Sequence, residues 1–336
     1  MRKGRAIMIN IEKCVQKNEV QSEYEALFSV ISPILEGLIL SLKRDIVAQV
    51  GGYENLTLEL FTRLYEPGDG DCGICFEYAV HRAIVENNSD VLERIDTALT
   101  KFCKIKGDKP SSILFGAEKS GTMHFIDSVK EYLTDDSLLL TGSKGQPIKL
   151  KKHIDGVVAA FKKQQDRAKL PSSINGLWKA DLFVGQQMSD KWVGTTVKIN
   201  PSQIEGARGL RLGVVPSKQG RGDKIYKHDT KNLIICPVPY DKSFMEIFYE
   251  GWNIVKQFIL AHGKMPDEMY LSSGLDRLVC KELVSRRKFP ALGVVEVVRS
   301  LGQPHLIDVQ KETANVTTGV NDNIKINTIV TPMSSM

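Results

Sequence analysis

The chain has no run of about 18 apolar residues, so its 336 residues offer no membrane-spanning helix. Its start, MRKGRAIMINIEKCVQKNE, is basic, but the apolar run within it is too short and interrupted for a secretory signal. Cysteine is sparse: Cys14, Cys72, Cys75, Cys103, Cys236 and Cys280 are scattered and form no disulfide framework. Reduced thiols and a cytoplasmic location are the expectation. Internal repeats and low-complexity tracts are absent. So are the G-x-S-x-G elbow and the H-E-x-x-H zinc motif. The stretch GAEKSGT at 116–122 lacks the G-K-[ST] ending and spacing of a phosphate-binding loop, which leaves Glu118 and Lys119 as turn residues.

What is present is ordinary globular composition, with 42% hydrophobic and 25% charged residues. The formal net charge of +5 permits a polyanionic partner without demanding one. Its distribution is more informative. Residues 144–169 carry eight Lys or Arg against Asp155 and Asp166, and a second basic stretch holds Arg208, Arg211, Lys218, Arg221, Lys224, Lys227 and Lys231.

Apolar spacing predicts helix over about 20–50, broken or kinked near Pro33. A helix capped by Asp69 or Asp71 follows, with Phe76, Val80, Ala83 and Ile84 on one stripe and Asn87-Asn88 as its stop. Another helix is expected at 90–104. Strands are expected in SSILF, DSLLL, KADLFVGQ, KWVGTTVKIN, GLRLGVVPS and NLIICPVPY, and an amphipathic helix in SFMEIFYEGWNIVKQFILAHG. Residues 276–308 read as a helix followed by a strand, ALGVVEVVRS, and the Thr/Asn-rich tail as a loosely packed end. Strands alternating with helices argue for an α/β fold: a mixed central sheet flanked by helices, with an N-terminal helical layer. The expected division is 1–70 helical, 71–275 α/β core with a basic insertion near 105–175, and 276–336 a C-terminal extension.

The strand pair KADLFVGQ and KWVGTTVKIN carries charges in apolar company. With QMSD as the hairpin loop, Gln186 faces Lys191 and Asp181 faces Thr196, while Lys198 lies two residues further on the same face. Such neighbours are roughly 5 and 7 Å apart, so Asp181, Thr196 and Lys198 line one small patch. The plain alternative is a cross-strand surface ion pair, contributing at most about 1 kcal/mol.

The order of Glu77 in CFEYAVHRAI, Asp181 in KADLF and Lys198 in TTVKIN resembles the PD-(D/E)xK nuclease superfamily, which includes restriction-type endonucleases. The likeness covers about 70–260. Thr196 stands where that pattern carries Glu or Asp, and Ala180 where it carries Pro. The resemblance implies a restriction-endonuclease-like core and a catalytic set of Glu77, Asp181, Thr196 and Lys198. It implies Mg²⁺ (or Mn²⁺) held by Asp181, Glu77 and the main-chain carbonyl of Val197, with Glu205 as an alternative acid. Double-stranded DNA is the implied substrate, its backbone held by Arg208, Arg211, Lys218, Arg221 and Lys224, and a homodimer or a partner subunit of a defence system completes the assembly. The second reading is a nuclease-like fold without activity, acting as a nucleic-acid-binding or assembly subunit.

Two further features bear on chemistry. Cys72-x-x-Cys75 with His81 is half of a zinc set, and two buried thiols at a helix start are its other reading. His81 falls one turn after Glu77, either as a partner of the site or as a satisfied half-buried histidine. SRRK at 285–288 reads as a solvated helix face.

Overall fold

The computed structural model describes residues 19–67, 71–107, 109–115, 132–141, 145–207, 209–218 and 223–302. Five helices come first: α1 (Glu19–Leu40), α2 (Arg44–Gln49), α3 (Leu58–Leu64), α4 (Cys72–Val85) and α5 (Ser89–Thr97). Pro33 lies inside α1 without ending it. Three short strands follow, β1 (Pro110–Leu114), β2 (Leu138–Leu139) and β3 (Ile148–Lys149), with helices α6 (Ile154–Lys162) and α7 (Ser172–Asn175) after them. The sheet is completed by β4 (Leu182–Gln186), β5 (Lys191–Val197), β6 (Arg211–Pro216), β7 (Tyr226–Lys227) and β8 (Leu233–Val238). The last described helices are α8 (Met245–Leu260), α9 (Gly274–Ser285) and α10 (Ala291–Leu301).

The sheet runs β1-β4-β5-β6-β8-β7, mixed in direction: β5, β6 and β8 are parallel, while β1, β4 and β7 are antiparallel to their neighbours. The expected mixed α/β architecture is therefore present. Hairpin β4–β5 pairs Gln186 with Lys191 and Leu182 with Thr195, and residues 187–190 form the turn. That is the register predicted from the loop.

Alternation along the strands divides the core. Leu182, Val184, Val193, Val197, Leu212 and Val214 face the large cluster built by α1, α4, α5, α8, α9 and α10. The N-terminal helices, the sheet and the C-terminal helices share this one core. Phe183 and Trp192 face the opposite way into a second cluster with Ile113, Leu139, Leu150, Val157 and Leu177, supplied by the insertion. Beside it, Ile204 covers Val215, Leu233 and Ile235.

One expected element is corrected. The Val-rich 291–301 is helix α10, not a strand. Its buried residues are Ala291, Val294, Val295 and Val298, a helical i, i+3, i+4, i+7 stripe that outweighs the β-branched composition. The end of α10 packs tightly: a Cβ on Gly302 would lie 2.4 Å from the Ser29 main-chain nitrogen of α1. The insertion's basic character is also modified, because Lys149, Lys151 and Lys169 pair with Asp136, Asp135 and Asp166. Lys144, Glu118, Lys119 and the Thr/Asn-rich tail lie outside the described residues.

Candidate functional site

Glu77, Asp181 and Lys198 come from three different elements and meet at one end of the sheet. Asp71 caps α4 by accepting from the Ile74 N–H (3.0 Å), and Glu77 follows within the next turn and a half. Asp181 directly precedes β4; its N–H donates to Thr195 O (2.8 Å) and its carbonyl accepts from Phe115 N. Lys198 directly follows β5, held by its N–H to Val214 O of β6 (3.0 Å). The side chain of Lys198 donates from Nζ to Glu77 Oε1 (3.0 Å) and Asp181 Oδ2 (3.2 Å).

The same Asp181 Oδ2 accepts the main-chain N–H of Val197 (3.0 Å). In extended backbone a residue's N–H and C=O point to the same side, so the Val197 carbonyl is directed toward this carboxylate end of the site. Glu77 and Asp181 are 9% and 7% exposed. Two carboxylates buried this far require compensation. Burial alone would lower the Lys198 pKa, but the charges of Glu77 and Asp181 and their hydrogen bonds outweigh it and hold it above the ordinary lysine value.

Thr196 is set apart from this group. Its hydroxyl donates to Lys179 O (3.1 Å) and the residue is 5% exposed, so the hydroxyl is engaged with main chain. Glu205 is exposed and paired with Lys179 (2.9 Å).

Arg211 is a correction to the basic-loop expectation. It opens β6 and is 0% exposed, so it cannot grip a nucleic-acid backbone at the surface. Burial lowers its pKa to about 10, with the Asp181 carboxylate acting in the opposite direction. The guanidinium passes over Gly194, where an added Cβ would lie 2.6 Å from Arg211 Nη1 and 2.5 Å from Thr141 Cγ2. A lone arginine in the apolar strand GLRLGVVPS and a glycine in the middle of KWVGTTV were the available signals.

Lys218 and Lys224 are exposed, whereas Arg208 and Arg221 lie outside the described residues. The Lys218 N–H donates to Asp223 Oδ2 (2.6 Å) just after β6. Because β6 runs parallel to β5, this loop leaves the sheet at the same end as Lys198. Lys224 lines an open cleft of about 430 Å³ with Asp90, Glu93 and Arg94, so acids share its neighbourhood.

His81 Nδ1 lies 3.0 Å from Ser112 Oγ, and burial pushes its pKa down to about 3. It is a neutral imidazole turned to β1. Burial raises the Cys72 thiol to about 12, and Cys75 is raised as well while donating to Ile34 O. Without a metal both thiols stay protonated near neutral pH, which fits two buried thiols at a helix start. Arg286 and Arg287 of SRRK bond to Glu282 and to Val284 O on α9.

Among the described residues no group of three or more His, Cys, Asp or Glu side chains is arranged to hold a metal ion. The donor set nevertheless fits a hard cation: two carboxylates already converge on one positive charge, with a main-chain carbonyl beside them. Mg²⁺ is commonly held by one or two carboxylates and completes its shell with water and phosphate oxygens. No protein-family model, no curated protein and no solved structure matches the chain.

Proposed function

We propose that this protein is a metal-dependent DNA endonuclease of the restriction or phage-defence type. The observation that supports it best is the meeting of Glu77, Asp181 and Lys198 at the end of the β4–β5 hairpin, the helix glutamate and the lysine it bonds being 121 positions apart in the chain. Core packing has no use for these three polar groups. Their convergence has a ready use in phosphodiester hydrolysis, together with the resemblance of their order to the PD-(D/E)xK pattern.

In this reading Asp181, Glu77 and the Val197 carbonyl hold Mg²⁺ or Mn²⁺, which, when bound, supplies Lewis-acid polarisation of the phosphate and a lowered water pKa. The protein's own groups do the rest. The Val197 N–H fixes the rotamer of Asp181, and Lys198 offers a cation to negative charge growing on phosphorus oxygens. Exposed Lys218 and Lys224 hold the backbone without reading sequence. The engagement of Thr196 with Lys179 O favours the second reading, a nuclease-like DNA-binding or assembly subunit, since it leaves two carboxylates rather than three.

The test is incubation of supercoiled plasmid and phage DNA with Mg²⁺ or Mn²⁺, comparing wild type with Asp181→Asn and Lys198→Met. The endonuclease reading expects metal-dependent nicking or linearisation, reduced at least about 100-fold in both variants. Salt-sensitive DNA binding without cutting under either metal supports the subunit reading instead.

A further inference from the structure

Among the described residues, the side-chain charges gathered at the site balance without any metal. Glu77 and Asp181 contribute two negative charges, Lys198 contacts both and offsets one, and buried Arg211 adds a second positive charge close enough to feel the Asp181 carboxylate. A divalent ion added alone would leave two excess positive charges beside two side chains that are about 10% exposed. Burying uncompensated charge is costly.

The two cations differ in freedom. Arg211 is wholly enclosed and pinned over Gly194. Lys198 is 31% exposed on a flexible four-carbon stem, with its ammonium between the two carboxylates where a metal would bind. Of these two cations the movable one therefore occupies the metal's place. Neither Thr196, bonded to Lys179 O, nor Glu205, paired with Lys179, brings a third negative charge to offset an incoming ion.

We propose that Lys198 is the site's resident counter-cation, which excludes divalent metal until a phosphodiester arrives to take over its ammonium. This inference rests on the nuclease reading and adds its order of assembly. The side chain has two positions, inward on Glu77 and Asp181, or outward on a phosphate oxygen. A bound phosphodiester also adds the negative charge that the metal needs. Metal and nucleic acid then favour one another by a single reciprocal factor.

The experiment is Mn²⁺ titration of the full chain at constant ionic strength, followed by calorimetry and by the EPR signal of free Mn²⁺. Wild type is compared with Lys198→Met, and wild type alone with wild type bound to a phosphorothioate duplex that resists cleavage, after subtraction of Mn²⁺ taken up by the duplex. Both the variant and the duplex complex are expected to bind Mn²⁺ at least about tenfold more tightly than free wild type. A Lys198→Met protein that binds no more tightly overturns the proposal. So does a wild-type affinity indifferent to the duplex, a comparison that needs no substitution. If wild type cuts plasmid DNA yet shows neither shift, the counter-cation role falls and the nuclease reading stands. If no form binds Mn²⁺ and no DNA is cut, both fall.

Discussion

Gly194→Ala tests the buried arrangement behind the site. A methyl group there would lie 2.5 Å from Thr141 Cγ2 and 2.6 Å from Arg211 Nη1. Both are at least about 1 Å inside ordinary contact distances of ~3.5–4.0 Å. Neither neighbour can yield cheaply: Arg211 is fully enclosed, and Thr141 is 1% exposed. Overpacking of this kind costs about 1–3 kcal/mol. Loss of glycine's freedom in the unfolded chain returns about 0.4–1 kcal/mol. The net expectation is a loss of about 1–2 kcal/mol in urea unfolding. Gly156→Ala in α6, whose nearest neighbour would be Leu170 Cδ2 at 3.5 Å, provides the contrast and should gain about 0.5–1 kcal/mol. Adding Thr141→Ser to Gly194→Ala removes one of the two clashes and should recover part of the loss. A Gly194→Ala protein as stable as wild type would show that Arg211 does not cross β5 at this point, and the fixed second cation of the site would go with it.

Two other substitutions probe separate parts of the molecule. Burial beside Asp276 raises the Glu250 carboxyl to about 7, so between its unfolded value and 7 the native state holds more protons and stability falls as pH rises. Glu250→Gln should flatten the dependence of Tm between about pH 5 and 8 and melt above wild type at the upper end; a wild-type Tm that climbs through this window contradicts the assignment. Thr196→Val leaves the Lys179 carbonyl without its donor and should cost about 1 kcal/mol while leaving plasmid cleavage unchanged. Loss of cleavage in this variant at normal stability would return the hydroxyl to the chemistry.

Local rules carried much of the fold. The β4–β5 register followed from one four-residue turn, because a hairpin loop fixes every pair behind it. The cap of α4 was legible as Asp69 or Asp71 from their place before an apolar stripe, and Asp71 fills it. Helix α10 was misread because four valines suggested a strand, although three of them, with Ala291, follow the 3.6-residue period of a helix. Asp181 and Lys198 could be brought together by register alone. Glu77 could be added only by resemblance, since no local rule brings residue 77 to residue 198. The burial of Arg211 was not legible from composition, which counted it with the exposed lysines nearby; its enclosure depends on a glycine on the neighbouring strand and a threonine from the insertion.

The long first helix has a temporal consequence. Helix α1 packs against α8 and α10, elements from the last third of the described chain, as well as against α4, which carries Glu77. During synthesis at roughly 5–20 residues per second, its apolar face waits on the order of tens of seconds for residues beyond 245 to emerge. Until then α1, against which α4 packs, lacks its partners α8 and α10. A chain with this wiring therefore receives the last backing of the helix that carries Glu77 only after residues beyond 245 have emerged.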